Sequence, residues 1–265
     1  MSATGKWGDL APRMATGVAM AVVGLATLWL GGAPLWYLAS AVTGLMIWEL
    51  VNMTAGPMRK RLSPVVALVT AVIVFTAVTN HASPFYLMFL AVPPLLTLVL
   101  AARDRIFMLA YATAILLTGY ALVGFREGHG PEWVLWLVLV VVVTDVAGYF
   151  GGRMLGGPKF WPRVSPKKTW SGTIAGWVGA AIVGVGYVQW LGAPGWLVAL
   201  SVLVAFASQL GDIAESAIKR RTGVKDSSNI LPGHGGVLDR FDGLIGAATF
   251  LVLWGFALPV PQIGG

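Results

Sequence analysis

The chain has 265 residues, 57% of them hydrophobic, with a mean hydropathy of +0.79, a formal charge of +7 and no cysteine. That apolar share exceeds the roughly 45–50% of soluble domains and implies an integral membrane protein; the missing cysteines exclude disulfides and thiolate chemistry and leave the compartment open. In a soluble protein the positive charge would point to nucleic acid, but in a membrane protein basic cytoplasmic loops and anionic lipid headgroups explain it, and no nucleic-acid partner is expected.

In chain order, apolar runs of about 20 residues predict about nine transmembrane helices, at 13–31, 33–54, 63–80, 84–101, 105–125, 132–152, 171–191, 195–218 and 239–258. The expected fold is an all-α polytopic bundle, a single membrane domain over 1–265. Within it, 1–130 are N-terminal helices of unassigned role and 131–265 are the catalytic helices and cytoplasmic loops. Arg13 before the first run mimics a signal peptide, but the further runs predict a retained first helix. Glu49, near the inner end of the second run, is expected to snorkel or to pair helices. Pro93–Pro94 predicts a kink or break in the fourth.

Orientation follows from the basic residues. The loops at 55–62, 102–105, 153–170 and 219–238 carry Arg59, Lys60 and Arg61; Arg103 and Arg105; Arg153, Lys159, Arg163, Lys167 and Lys168; and Lys219, Arg220, Arg221 and Lys225. The alternate loops at 31–33, 81–83 and 192–194 carry none, and Arg126 alone lies on that side. The positive-inside rule puts the N-terminus in the cytoplasm and the C-terminus in the periplasm, as an odd number of spans requires. Asp145, Asp212, Asp239 and Asp242 then gather at the cytoplasmic end, where acids are costly unless paired or metal-bound.

The stretch from Ser208 to Gly243, SQLGDIAESAIKRRTGVKDSSNILPGHGGVLDRFDG, concentrates ionisable groups. On a helix Asp212, Glu215, Ser216 and Lys219 share a face, and so do Asp239 and Asp242. Glycines in PGHGG allow a backbone to approach a ligand, and a following helix N-terminus suits phosphate. Carboxylates supply the oxygen ligands that Mg2+ prefers, and Lys and Arg neutralise phosphate oxygens. Such equipment serves phosphoryl or nucleotidyl transfer. The plainer alternative is ion pairing: Asp212, Asp239 and Asp242 with Arg220 or Arg240, and Asp145 with Arg153 or Lys167. Glu215 is a ligand or an interhelical hydrogen bonder. His234 lacks the companions of a zinc site and is expected to donate to phosphate or to order its loop.

The stretch resembles the signature of the phosphatidate cytidylyltransferase (CDP-diacylglycerol synthase) family. The resemblance rests on Ser216, Lys219–Arg220, Lys225–Asp226, Pro232–Gly233–His234–Gly235–Gly236 and Asp239–Arg240–Phe241–Asp242. A second segment, Thr144 to Gly172, is similar at Asp145, Tyr149, Arg153 and Ser165–Pro166–Lys167–Lys168–Thr169. Many members have Glu two residues after that Thr, where this chain has Ser171. The first 130 residues resemble the family in hydropathy alone.

The resemblance implies condensation of CTP with phosphatidic acid, giving CDP-diacylglycerol and pyrophosphate. It implies catalytic roles for Asp212, Lys219, Asp239 and Asp242, with Mg2+ held by Asp212, Asp239 and Asp242 and a second metal or a monovalent cation left open. Substrate binding is implied for Asp145, Lys167, Lys168, Ser216, Arg220, Lys225, His234, Gly235, Gly236 and Arg240. Also implied are a homodimer, membrane lipids as surroundings, and a bacterial inner membrane with the site facing the cytoplasm. The rival readings are another CTP-dependent lipid enzyme, such as a polyprenol kinase, and an ion-coupled transporter. Against the transporter, Asp145, Asp212, Asp239 and Asp242 sit at one end, and the acid in the outer half of a predicted span is Glu132, at the very edge of its run.

Overall fold

The computed structural model describes residues 10–81 and 83–263. Gly265, on which the expected periplasmic terminus rests, and the side chain of Arg13 lie outside the described residues. The apolar runs become helices: α1 Leu10–Leu30, α2 Gly32–Thr54, α3 Ser63–Thr79, α4 Pro84–Met88, α5 Val92–Leu100, α6 Arg105–His129, α7 Pro131–Leu155, α8 Trp170–Leu191, α9 Leu197–Thr222 and α10 Leu238–Ala257. Among the described residues, seven segments are long and apolar enough to cross a membrane: Gly32–Thr54, Arg59–Thr79, Arg105–His129, Pro131–Leu155, Trp170–Leu191, Leu197–Thr222 and Leu238–Ala257. Met14–Leu30 and Pro84–Leu100 are apolar but shorter. The chain is a polytopic helical membrane protein.

The fourth run is interrupted. A 3-10 turn at Phe89–Ala91 separates α4 from α5, whose first turn holds Pro93 and Pro94. Proline has no N–H to give and fits a helix only where none is needed, so a new helix begins there. One departure from an all-helical fold is a short hairpin. Strands β1 (Lys159–Trp161) and β2 (Ser165–Thr169) pair antiparallel, Lys159 opposite Thr169 and Trp161 opposite Ser165. The sequence suggests only a basic loop there, because strands this short and rich in Lys and Pro carry no alternating apolar signal.

By contact the chain divides into two units: Met1–Val123 with Thr222–Phe241, and Gly124–Arg221 with Asp242–Gly265. In the first, α2 packs along α3 and α6. A Cβ at Gly44 would come within 2.8 Å of the Ala67 carbonyl oxygen of α3, and one at Gly119 of α6 would overlap the Thr43 hydroxyl of α2. Met46, Ile47, Leu50, Val74, Ala112 and Ile115 form the buried interior. Glycine provides the close approach that lipid-embedded helices need, since they gain little from a hydrophobic effect.

In the second unit α7 and α8 touch backbone to backbone. A Cβ at Gly172 would lie 2.6 Å from the Gly148 carbonyl oxygen and 3.3 Å from the Cα of Gly152. Thr169 caps α8, its hydroxyl accepting from Gly172 N at 3.2 Å. The Ser171 hydroxyl donates to the Gly156 carbonyl, tying the start of α8 to the end of α7. Gly211 of α9 and Gly246 of α10 form a matching crossing, where a Cβ on Gly211 would sit 2.8 Å from Gly246 N.

Candidate active site

The α9–α10 and α7–α8 crossings gather the acids of the second unit. Asp212, on α9 one residue beyond Gly211, is paired with Lys168 of β2 and accepts from the Ser216 hydroxyl at 3.2 Å. The hairpin thus brings a lysine to Asp212. Lys167, its neighbour on the strand, is exposed. Asp242 is within electrostatic reach of Asp212, Asp145 and Lys219, and its Oδ1 accepts from Gly243 N at 2.7 Å. Glu215 is fully buried and holds Lys219 at 2.6 Å, one helical turn on. Asp212 thus pairs with a lysine from the hairpin, which no local sequence pattern announces. Arg153 donates to the Tyr149 hydroxyl at 2.7 Å.

In the first unit the segment from Lys225 to Arg240 is folded tightly on itself. Leu231 N donates to the Gly235 carbonyl and His234 N to the Leu231 carbonyl, both at 2.9 Å. Gly235 has φ +83°, a conformation side chains oppose, and a Cβ there would lie 2.8 Å from Asp239 Oδ2. Asp239 Oδ2 accepts from Ser227 N at 2.9 Å, the Ser227 hydroxyl at 2.9 Å and Gly236 N at 2.8 Å. A Cβ on Gly236 would run into the Ser227 hydroxyl. Lys225 and Arg240 are exposed, as is Arg220 on α9 of the second unit. His234 Nδ1 is buried with no hydrogen-bond partner among the described residues.

Of the two roles expected for Glu49, snorkelling and pairing of helices, the structure shows the second, α2 being joined to the start of α10. Glu49 is 0% exposed, which rules out snorkelling. It accepts from the hydroxyls of Ser227 and Ser228, from Val237 N at 2.9 Å and from Leu238 N at 2.6 Å. The N-terminus of α10, expected to receive phosphate, is thus occupied by a carboxylate from α2 and by Asp239. An acid inside an apolar run, near its inner end, was the one available signal for Glu49; its partners, 178 to 189 residues away, had none.

The donor chemistry suits Mg2+, a hard cation that takes carboxylate oxygens. Asp212, Asp242 and Asp145 supply such oxygens in the second unit, while Asp239 Oδ2 is engaged by the loop. Among the described residues, no three of His, Cys, Asp and Glu stand close enough together to hold an ion.

The Cytidylyltransferase family model matches residues 11–257. The phosphatidate cytidylyltransferase of Brucella suis biovar 1 (strain 1330) is 50% identical over 139 residues, 52% of either chain. That of Helicobacter pylori (strain ATCC 700392 / 26695) is 42% identical over 146 residues, 51% of this chain and 54% of its own. These two matches span about half the length of the relatives. The phosphatidate cytidylyltransferase of Staphylococcus aureus (strain COL) is 31% identical over 249 residues, 88% of this chain and 94% of its own. With a family match along nearly the whole chain and the signature filled from Ser216 to Asp242, the chain belongs to the cytidylyltransferase family.

Proposed function

We propose that the protein condenses CTP with phosphatidic acid at the cytoplasmic face of a bacterial inner membrane, releasing pyrophosphate and leaving CDP-diacylglycerol in the bilayer. The observation that carries this reading is the complete signature set on a buried scaffold, with Asp212 paired to Lys168 and Lys219 held by Glu215. An oxygen of the lipid phosphate attacks the α-phosphorus of CTP, and the bond to the bridging oxygen of pyrophosphate breaks. The attacking monoester is largely dianionic at neutral pH, so no strong general base is needed. The requirement is to relieve repulsion between two anions and to stabilise the leaving group.

Lys168, Lys219, Arg220, Lys225 and Arg240, with Lys167 at the rim and His234 in the loop, supply positive charge and donors for the phosphates. Ser216 orients Asp212. Mg2+ would supply further charge neutralisation, with Asp212, Asp239 and Asp242 as its expected ligands. Gly235 and Gly236 keep the signature loop closed on its own carboxylates. The working unit in this reading is a homodimer in membrane lipid.

The test is incorporation of radiolabelled CTP into lipid by purified protein, with and without phosphatidate and Mg2+. Label in CDP-diacylglycerol that depends on both is the expected result. A phosphorylated polyprenol in its place would mark the related kinase chemistry, and no CTP turnover would favour transport.

A further inference from the structure

We infer that Glu49, in the N-terminal helices that the signature does not reach, is a positioning residue for the signature loop: a clamp that fixes Ser227–Leu238 through hydrogen bonds only a carboxylate can accept. The inference rests on the cytidylyltransferase reading for its kinetic consequence and on geometry alone for the clamp.

The bonding pattern is symmetric. Glu49 Oε1 receives the Ser228 hydroxyl and Val237 N, and Oε2 receives the Ser227 hydroxyl and Leu238 N. Each oxygen therefore takes one hydroxyl and one main-chain amide. Hydroxyls can turn to accept, but a main-chain N–H cannot. A glutamine would place its NH2 against Val237 N or Leu238 N whichever way it is flipped, leaving a donor facing a donor. In a fully buried place such a mismatch costs more than the loss of one ordinary hydrogen bond.

The clamp is shared. The single proton of the Ser227 hydroxyl is shared between Glu49 Oε2 at 3.2 Å and Asp239 Oδ2 at 2.9 Å, so one serine joins the acid of α2 to the first acid of the Asp-Arg-Phe-Asp segment. Val237 and Leu238 lead directly into Asp239 and Arg240. Glu49 acts by holding the residues on either side of the loop.

Glu49→Gln and Ser228→Ala are to be compared with wild type in detergent, by trypsin cleavage after the exposed Lys225 and by CTP kinetics with phosphatidate saturating. In E49Q, cleavage after Lys225 should quicken about tenfold or more, the scale of one lost buried hydrogen bond or more. The KM for CTP should rise with it, because a loose loop binds poorly. A merely loosened bundle would lower the active fraction, and so kcat, and leave KM alone. S228A, which removes one donor and leaves the carboxylate in place, should move both readouts the same way by less. Unchanged cleavage in E49Q, or faster cleavage with unchanged KM, overturns the inference. If E49Q yields no folded protein, S228A decides by the same criteria. If wild type turns over no CTP, the functional reading falls. Cleavage then still tests the clamp: faster cutting in E49Q supports it and equal cutting overturns it.

Discussion

Among single residues, Asp212 and Gly236 show how position decides the consequence of a change. Asp212→Asn keeps size and hydrogen-bonding reach to Ser216 but removes the charge that holds Lys168. Turnover should fall about a hundredfold or more, the scale of several kcal/mol in barrier. Lys60→Ala, in an exposed basic segment, should remain close to wild type. Equal losses in the two variants, measured as initial rates on protein of matched yield, would mean that general membrane charge had been mistaken for a site. Gly236→Ala is the more severe test of the loop. Its Cβ would enter the space of the Ser227 hydroxyl and of Glu49, so even alanine should abolish most activity. A solvated linker that needs glycine only for slack would tolerate both alanine and valine. Asp212, Asp239 and Asp242 stood out as candidates because charge is rare in this chain and the signature spacing is specific. Glu49 and Lys168 were legible as polar residues but not as partners, since each meets its counterpart only through tertiary packing.

At the level of elements, hydropathy located eight of the nine runs as single helices, because a span must satisfy its own backbone bonds in lipid, and missed only where the fourth run breaks before its prolines. It did not show how the helices pack. The contacts of α7 with α8 and of α9 with α10 depend on glycines whose neighbours lie on another helix. Gly172→Leu should therefore force α7 and α8 apart. Overpacking of this kind costs about 1–3 kcal/mol or more, and the melting temperature in detergent should drop by several degrees. Gly195→Leu, at a position with open space around it, should leave melting unchanged and serves as the control. The hairpin was not legible. It sets Lys168 against Asp212 and leaves Lys167 exposed.

For the whole molecule, the open quantity is how many times the chain crosses the membrane, and the absence of cysteine makes it measurable. Single cysteines can be placed at exposed Lys60, Arg163 and Gly195 and tested with a membrane-impermeant maleimide on intact and on opened cells. Between residues 60 and 163 the chain runs through α3, the Pro84–Leu100 segment, α6 and α7. If Pro84–Leu100 crosses, the number of passages is even and the two cysteines lie on one side. If it lies in the interface instead, they lie on opposite sides. The positive-inside argument requires one side, since Arg59–Lys60–Arg61 and the hairpin segment are both strongly basic. A helix broken by a 3-10 turn can still cross where neighbouring helices satisfy its freed backbone groups. The expected result is that Lys60→Cys and Arg163→Cys are both protected in intact cells and labelled in opened ones. Gly195→Cys, one passage beyond the hairpin, should be labelled in both. Protection of only one of the first two would place Pro84–Leu100 flat in the interface and reduce the crossings by one. Equal labelling of positions 163 and 195 would contradict the passage of α8, whose length and hydropathy leave it little alternative.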